Sequence, residues 1–123
     1  MTETASPDLQ PAALVDIAVA ALEDIKGRDI VVLNVGHLTS LFEHLVIASG
    51  DSTRQVKSLA DNVQEKLKEA GADIIGMEGA EVGEWVLVDA GSVVVHVMHP
   101  AVRAHYNLEE LWGAAHARAA ARG

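Results

Sequence analysis

Short, almost unbroken β-branched runs dictate the architecture. The segment IVVLNV at 30–35 has the texture of a strand covered on both faces. HLVIAS at 44–49 predicts a second buried strand, closed by Gly50. After Gly71 come three more strand-like segments: ADIIGM (72–77), EWVLVD (84–89) and SVVVHVM (92–98). Ala90 and Gly91 between the last two predict a two-residue hairpin.

Helical spacing fills the intervals. Pro11 can open a helix in which Leu14, Ile17, Ala18, Ala21, Leu22 and Ile25 share a face, with Gly27 as the left-handed stop after Lys26. Asp51 or Ser52 caps a second helix with the apolar stripe Val56, Leu59, Ala60, Val63 and Leu67. Lys66 and Lys68 sit in its last turn, where the dipole favours cations, and Gly71 ends it. Pro100 opens a final helical region, and Asn107 with Glu110 resembles a capping box that restarts it. The order α-β-β-α-β-β-β-α predicts an α/β single domain, a mixed β-sheet flanked by helices. Residues 1–10 are expected to be a disordered N-terminus, 11–113 the folded domain and 114–123 an Ala/Arg-rich C-terminal tail.

The 123 residues suit one domain, and with 3% aromatics its core must come from Val, Leu, Ile and Ala. Nine basic against 18 acidic residues leave a net charge of −9. That balance argues against free nucleic acid or an anionic membrane as the main partner, and leaves a basic protein allowed. Without Cys there is no disulfide, thiolate metal site or thiol nucleophile. MTETASPDLQ has neither a basic n-region nor an apolar h-region, and no apolar run approaches a bilayer span, so the expectation is a cytoplasmic protein.

Motifs for catalysis are missing. The one G-x4-G, Gly71 to Gly76, is followed by Met77 rather than Lys, and Gly76, Gly79 and Gly83 do not have dinucleotide spacing. No acid-x-acid pair lies on a strand to hold two metal ions. His37, His44, His105 and His116 have no ligand-like grouping. His96 and His99 would point to opposite faces of a strand, and His96 could pack in the core with a partner on its ring. No metal or cofactor is expected.

Charge is the clearest signal. Between Lys68 and Arg103 there is no Lys or Arg, yet Glu69, Asp73, Glu78, Glu81, Glu84 and Asp89 all fall there. Strand alternation puts Trp85, Leu87 and Asp89 on one side and Val86 and Val88 on the other. An aromatic ringed by carboxylates has the makings of a docking site for a basic partner: the ring anchors and the acids steer. The expected surface is Glu78, Glu81, Trp85, Leu87 and Asp89, with Met98 and His99 at its rim. Arg54 and Gln55, in the first turn of the second helix, are a secondary choice; for Arg54 a structural ion pair is the commoner explanation.

GDSTRQV (50–56), GMEGAEVGEWVLVDAGSVVVHVM (76–98) and YNLEELW (106–112) resemble the ribosomal silencing factor family, also called RsfS or Iojap-like. The resemblance runs from about Leu14 to Trp112. It implies a domain related in topology to nucleotidyltransferases but without their catalytic acids. It also implies binding rather than catalysis: attachment to large-subunit ribosomal protein number fourteen, obstruction of small-subunit joining, and lower translation in starvation or stationary phase. Homodimers are reported in the family, so self-association is a further expectation. Ser92 and Asn107 stand where the family usually has Asp, and His44 lies where an acidic residue is common. The rival reading is a nucleotidyltransferase-like enzyme in which Gly50 to Thr53 cradle phosphate at a helix N-terminus. A plain oligomerisation module, its acids serving only solubility, is a third.

Overall fold

The computed structural model describes residues 10–112; the expected disordered N-terminus, apart from Gln10, and the Ala/Arg-rich tail lie outside them. Pro11 opens helix α1 (Pro11–Asp24), where its missing N–H is no loss. The helix buries Leu14, Val15, Ala18, Ala21 and Leu22. The left-handed residue after it is Lys26, with φ 62°, and not Gly27. Gly27 is required for closeness instead: a methyl there would lie 3.0 Å from the Leu22 carbonyl oxygen and 3.2 Å from the Leu59 side chain.

Strand β1 (Arg28–Asn34) is paired antiparallel to β2 (His44–Ser49), with a register slip between Arg28 and Val31. The expectation that β1 is covered on both faces fails. It lies at the sheet edge, only Leu33 within it is buried, and Val32 is 39% exposed. The expectation holds for β2, whose residues from Leu45 to Ser49 are all buried.

Helix α2 (Thr53–Glu69) is capped by Ser52, whose hydroxyl accepts from the Gln55 N–H at 3.1 Å. Its stripe Val56, Leu59, Ala60, Val63 and Leu67 is buried, and Gly71 turns the chain at φ 97°. Strand β3 is shorter than the 72–77 expected, covering only Gly76–Glu78. Ala72 and Ile74 pack against the helical side of the core before pairing with a neighbour begins. Strands β4 (Trp85–Asp89) and β5 (Val93–Met98) form the hairpin, with Asp89 opposite Val94. Its tip is Gly91 and Ser92, one residue later than the sequence suggests, because the Ala90 N–H donates to the Val93 carbonyl at 3.0 Å.

The sheet order is β1-β2-β5-β4-β3, antiparallel except where β2 runs parallel to β5. This is the mixed sheet of an α/β domain. Strand alternation divides it into two faces. Val46, Ala48, Val86, Val88, Val93, Val95 and Val97 meet α1 and α2 in a continuous aliphatic core. Leu33, Leu45, Ile47, Val94 and Met98 form the second face, with Trp85 and Leu87 half-buried beside them.

The second face has thinner cover. Helix α3 (Pro100–Tyr106) ends at Asn107, whose left-handed backbone (φ 49°) reverses the chain. The Asn107 carbonyl then accepts from the N–H groups of Glu110 (3.1 Å) and Leu111 (3.3 Å), starting a helical segment over 108–112. Backbone geometry thus does the work expected of a side-chain capping box. Arg103, 8% exposed, fastens this segment: Nε and one terminal nitrogen grip both Glu109 oxygens at 2.9 and 3.0 Å, and the other donates to Ser49 Oγ at 2.8 Å.

Candidate functional site

The second sheet face is where polar and aromatic groups gather. Trp85, Leu87 and Asp89 project from β4 on this side and all three are half-buried, whereas Val86 and Val88 are wholly buried beneath α1 and α2. Trp85 is held from two directions. Its indole N–H donates to His96 Nδ1 at 2.9 Å, and its ring leans on Tyr106 with centroids 4.9 Å apart. Because an indole N–H only donates, His96 Nδ1 must be the lone-pair nitrogen, which places the ring proton on Nε2. Burial pushes the His96 pKa down to about 4, so the ring is neutral at neutral pH.

Glu78, Gly79, Trp85 and Leu87 line a shallow depression of about 290 Å³. Leu87 forms its boundary with a larger groove of about 550 Å³. That groove has Leu45, Leu87, Val94 and His96 among its lining, and Phe42 and Trp112, 5.7 Å apart edge to face, beside them. Leu41 (80% exposed) and Ile75 (70% exposed) also border it, and among the described residues Asp89 is its one acidic lining residue. Asp89 Oδ1 accepts from the Gly91 N–H at 2.9 Å.

The expected docking residues are therefore only partly assembled. Glu78, Trp85 and Leu87 line one depression, and Leu87 and Asp89 line the neighbouring groove. Glu81 is exposed in the turn between β3 and β4. His99 is half-buried as the cap of α3, its Nδ1 accepting from the Ala101 N–H at 3.2 Å. Met98 has no exposed surface and so cannot sit at a rim: it faces inward from the central strand β5, opposite Trp85.

The secondary pair divides differently. Arg54 is exposed and, among the described residues, no ion pair holds it. Gln55 staples two elements together: its side-chain oxygen accepts from the Asp51 N–H at 2.6 Å, and its amide donates to the carbonyls of Ile25 and Lys26 at 3.1 and 3.2 Å. These bonds also bear on the phosphate-cradle reading. The N–H groups of Gly50, Asp51, Gln55 and Val56 are already paired with the protein's own oxygens, whereas among the described residues no hydrogen bond engages those of Ser52, Thr53 and Arg54. Arg28 further occupies Asp51, at 2.6 Å.

Sequence reasoning missed Tyr106, Phe42 and Trp112 as members of this face. Tyr106 and Trp112 stand in the motif YNLEELW, but Tyr106 reaches Trp85 from the end of α3, and only the reversal at Asn107 folds Trp112 back over the sheet. Among the described residues, no three His, Asp or Glu side chains converge as metal ligands.

Residues 8–122 match the family described as "Ribosomal silencing factor during starvation". The chain belongs to this family. It is 66% identical over 97 residues to a ribosomal silencing factor RsfS from Chromobacterium violaceum, spanning 79% of this chain and 80% of that one. A crystal structure of a protein from Chromobacterium violaceum superposes with a TM-score of 0.84 at 61% identity, covering 85% of this chain and 88% of that one. A mouse protein named "Mitochondrial assembly of ribosomal large subunit protein 1" is 34% identical over 101 residues, which cover 80% of this chain and 44% of the mouse one. Like the Chromobacterium relative, this silencing-factor chain is a mixed α/β domain, and its family is one of translation regulators. Among its described residues, no helix is long and apolar enough to cross a membrane.

Proposed function

We propose that this protein represses translation by docking on the large ribosomal subunit and obstructing the small one. The partner in this reading is a basic large-subunit protein, number fourteen, as the family resemblance implies. The observation that carries it is the Trp85–Tyr106 pair, centroids 4.9 Å apart, with Glu78 beside Trp85 and Asp89 at the far end of the same strand face. Tyr106 is 56% exposed and supplies a large aromatic surface that water wets poorly. The stretch from Glu69 to Val102 adds acids and no Lys or Arg, so the surface attracts a basic protein and is repelled by RNA phosphate beside it.

The mechanism needs no bond to be made or broken. A 13.0 kDa body seated on an inter-subunit surface excludes the other subunit by volume. Trp85 works as the platform under Tyr106, because its own N–H is engaged by His96. In this reading the protein acts in the cytoplasm. Self-association of the chain, which the family resemblance also implies, is a further part of this reading.

The test is sucrose-gradient sedimentation of separated ribosomal subunits with and without the purified protein. Co-migration with the large subunit and fewer reassociated ribosomes are expected, and Tyr106→Ala should weaken co-migration about tenfold while folding normally. A native protein that stays at the top of the gradient refutes the reading.

A further inference from the structure

Asp89 poses a question that the aromatic pair does not answer. It is half-buried at the β4 end of a groove whose other walls are mainly carbon, and among the described residues it has no cationic partner. Arg103, the cation nearest in sequence, is committed to Glu109 and Ser49. One Asp89 oxygen holds the hairpin through Gly91, and among the described residues no hydrogen bond engages the other. A carboxylate in such surroundings is poorly hydrated and gains from a charge brought to it from outside.

We propose that the groove is a receptor for an arginine side chain of the docking partner, its guanidinium meeting Asp89 and its plane lying against the Trp112 ring. The assignment rests on the proposed docking of a basic protein to this sheet face and names the contact that makes it selective. Guanidinium is the cation whose chemistry fits both parts of the groove. It is planar, weakly hydrated, stacks on aromatic faces and presents paired donors to a carboxylate. A volume of about 550 Å³ admits the long side chain together with the residue carrying it. An uncharged apolar ligand would desolvate Asp89 without compensation. A second copy of this chain would bring Glu78 and Asp89 of one face towards those of the other.

The experiment uses the free protein and a minimal probe. N-acetyl-arginine N-methylamide is titrated into 15N-labelled protein at low salt, with the citrulline analogue as the neutral isostere. The arginine probe should shift the amides of Asp89, Gly91 and Val94 and the indole of Trp112, saturating in the millimolar range. Citrulline should bind at least about tenfold more weakly. Asp89→Asn retains an oxygen for the Gly91 N–H, so the hairpin stands, and it should lose arginine binding by a similar factor. Trp112→Leu, which leaves the hairpin untouched, should weaken it several-fold. Equal binding of citrulline, an unaffected Asp89→Asn, or shifts confined to another surface would overturn the assignment. If the native protein co-sediments with large subunits while the arginine titration is silent, the groove assignment alone falls. If the titration succeeds and co-sedimentation fails, the docking reading falls and the receptor stands.

Discussion

Acid should destabilise this protein through one ring before its carboxylates are protonated. His96 is 8% exposed, and its Nδ1 accepts the Trp85 indole N–H at 2.9 Å. Protonating Nδ1 would therefore break that bond and place a charge between β4 and the second face of the core. Burial lowers the pKa from the ordinary 6.5 to about 4 in the folded protein, so the unfolded chain binds the proton first. The stability contributed by neutral His96 is complete above the unfolded value and is lost as pH falls from there through the folded value. With those two values, linkage gives a loss of about 2 kcal/mol between about pH 7 and about pH 5. Glu109 does not blur this window. The hydrogen bond from Arg103 holds its carboxyl below the ordinary value, so its contribution begins to fade only below about pH 4.5.

The assay is urea unfolding followed by far-ultraviolet circular dichroism across that range, for the native chain and for His96→Leu. Leucine leaves the Trp85 N–H without an acceptor, at a cost of about 1–2 kcal/mol that does not change with pH. That offset cancels when only the pH dependence of the difference is considered. The stability of the native chain relative to His96→Leu should fall by about 2 kcal/mol as pH falls from about 7 to about 5, bringing the two curves together or across one another. Parallel curves would mean that His96 binds its proton as readily folded as unfolded, and the buried, neutral acceptor described above would be wrong.

Trp85→Phe should cost about 1 kcal/mol of unfolding free energy, since it keeps a ring beside Tyr106 but removes the donor to His96; because the chain has only two tryptophans, it also leaves Trp112 as a clean fluorescent probe of the groove. Gly79→Ala should lower stability by about 1–3 kcal/mol in thermal unfolding, because φ is +87° there and the new methyl would collide with the Trp85 carbonyl oxygen. Arg103→Met should cost about 2 kcal/mol by stranding Glu109 and Ser49, and Trp112 emission in the Trp85→Phe background should shift red as the 108–112 segment loosens. Raising salt from about 50 to about 500 mM should weaken large-subunit association of the native protein in gradients, with Tyr106→Ala retaining the same salt slope because it removes no charge.

The elements were legible wherever a local pattern also decided the tertiary outcome. The stripe of α2, its Ser52 cap and the alternation of Trp85 to Asp89 are set by helical and strand periods, and the structure follows them. Errors arose where two outcomes share one pattern. IVVLNV reads as a central strand because β-branched residues suit any strand, and nothing local marks it as an edge. Met98, expected at the rim, is buried instead, because β5 is central and carries its apolar pattern through to the last residue. The groove was illegible for another reason. Its walls come from residues as far apart as Phe42, Asp89 and Trp112, and only the reversal at Asn107 brings the last of them over the sheet.

In the proposed docking, the two faces of the sheet divide stability from recognition. Against α1 and α2 the core is entirely aliphatic and wholly shielded, so it can supply most of the burial on which folding depends. The opposite face can then tolerate a half-exposed indole, an unpaired carboxylate and a buried imidazole, each of which would weaken a core that had to carry the fold alone. It follows that Tyr106→Ala and Asp89→Asn, which keeps the oxygen that holds the Gly91 N–H, should alter binding with little effect on stability, while changes at Trp85 should alter both. Trp85 touches Tyr106 on the exposed side and His96 on the buried side, so the two roles meet in its one side chain. For that reason Tyr106→Ala, and not removal of Trp85, separates loss of docking from loss of fold.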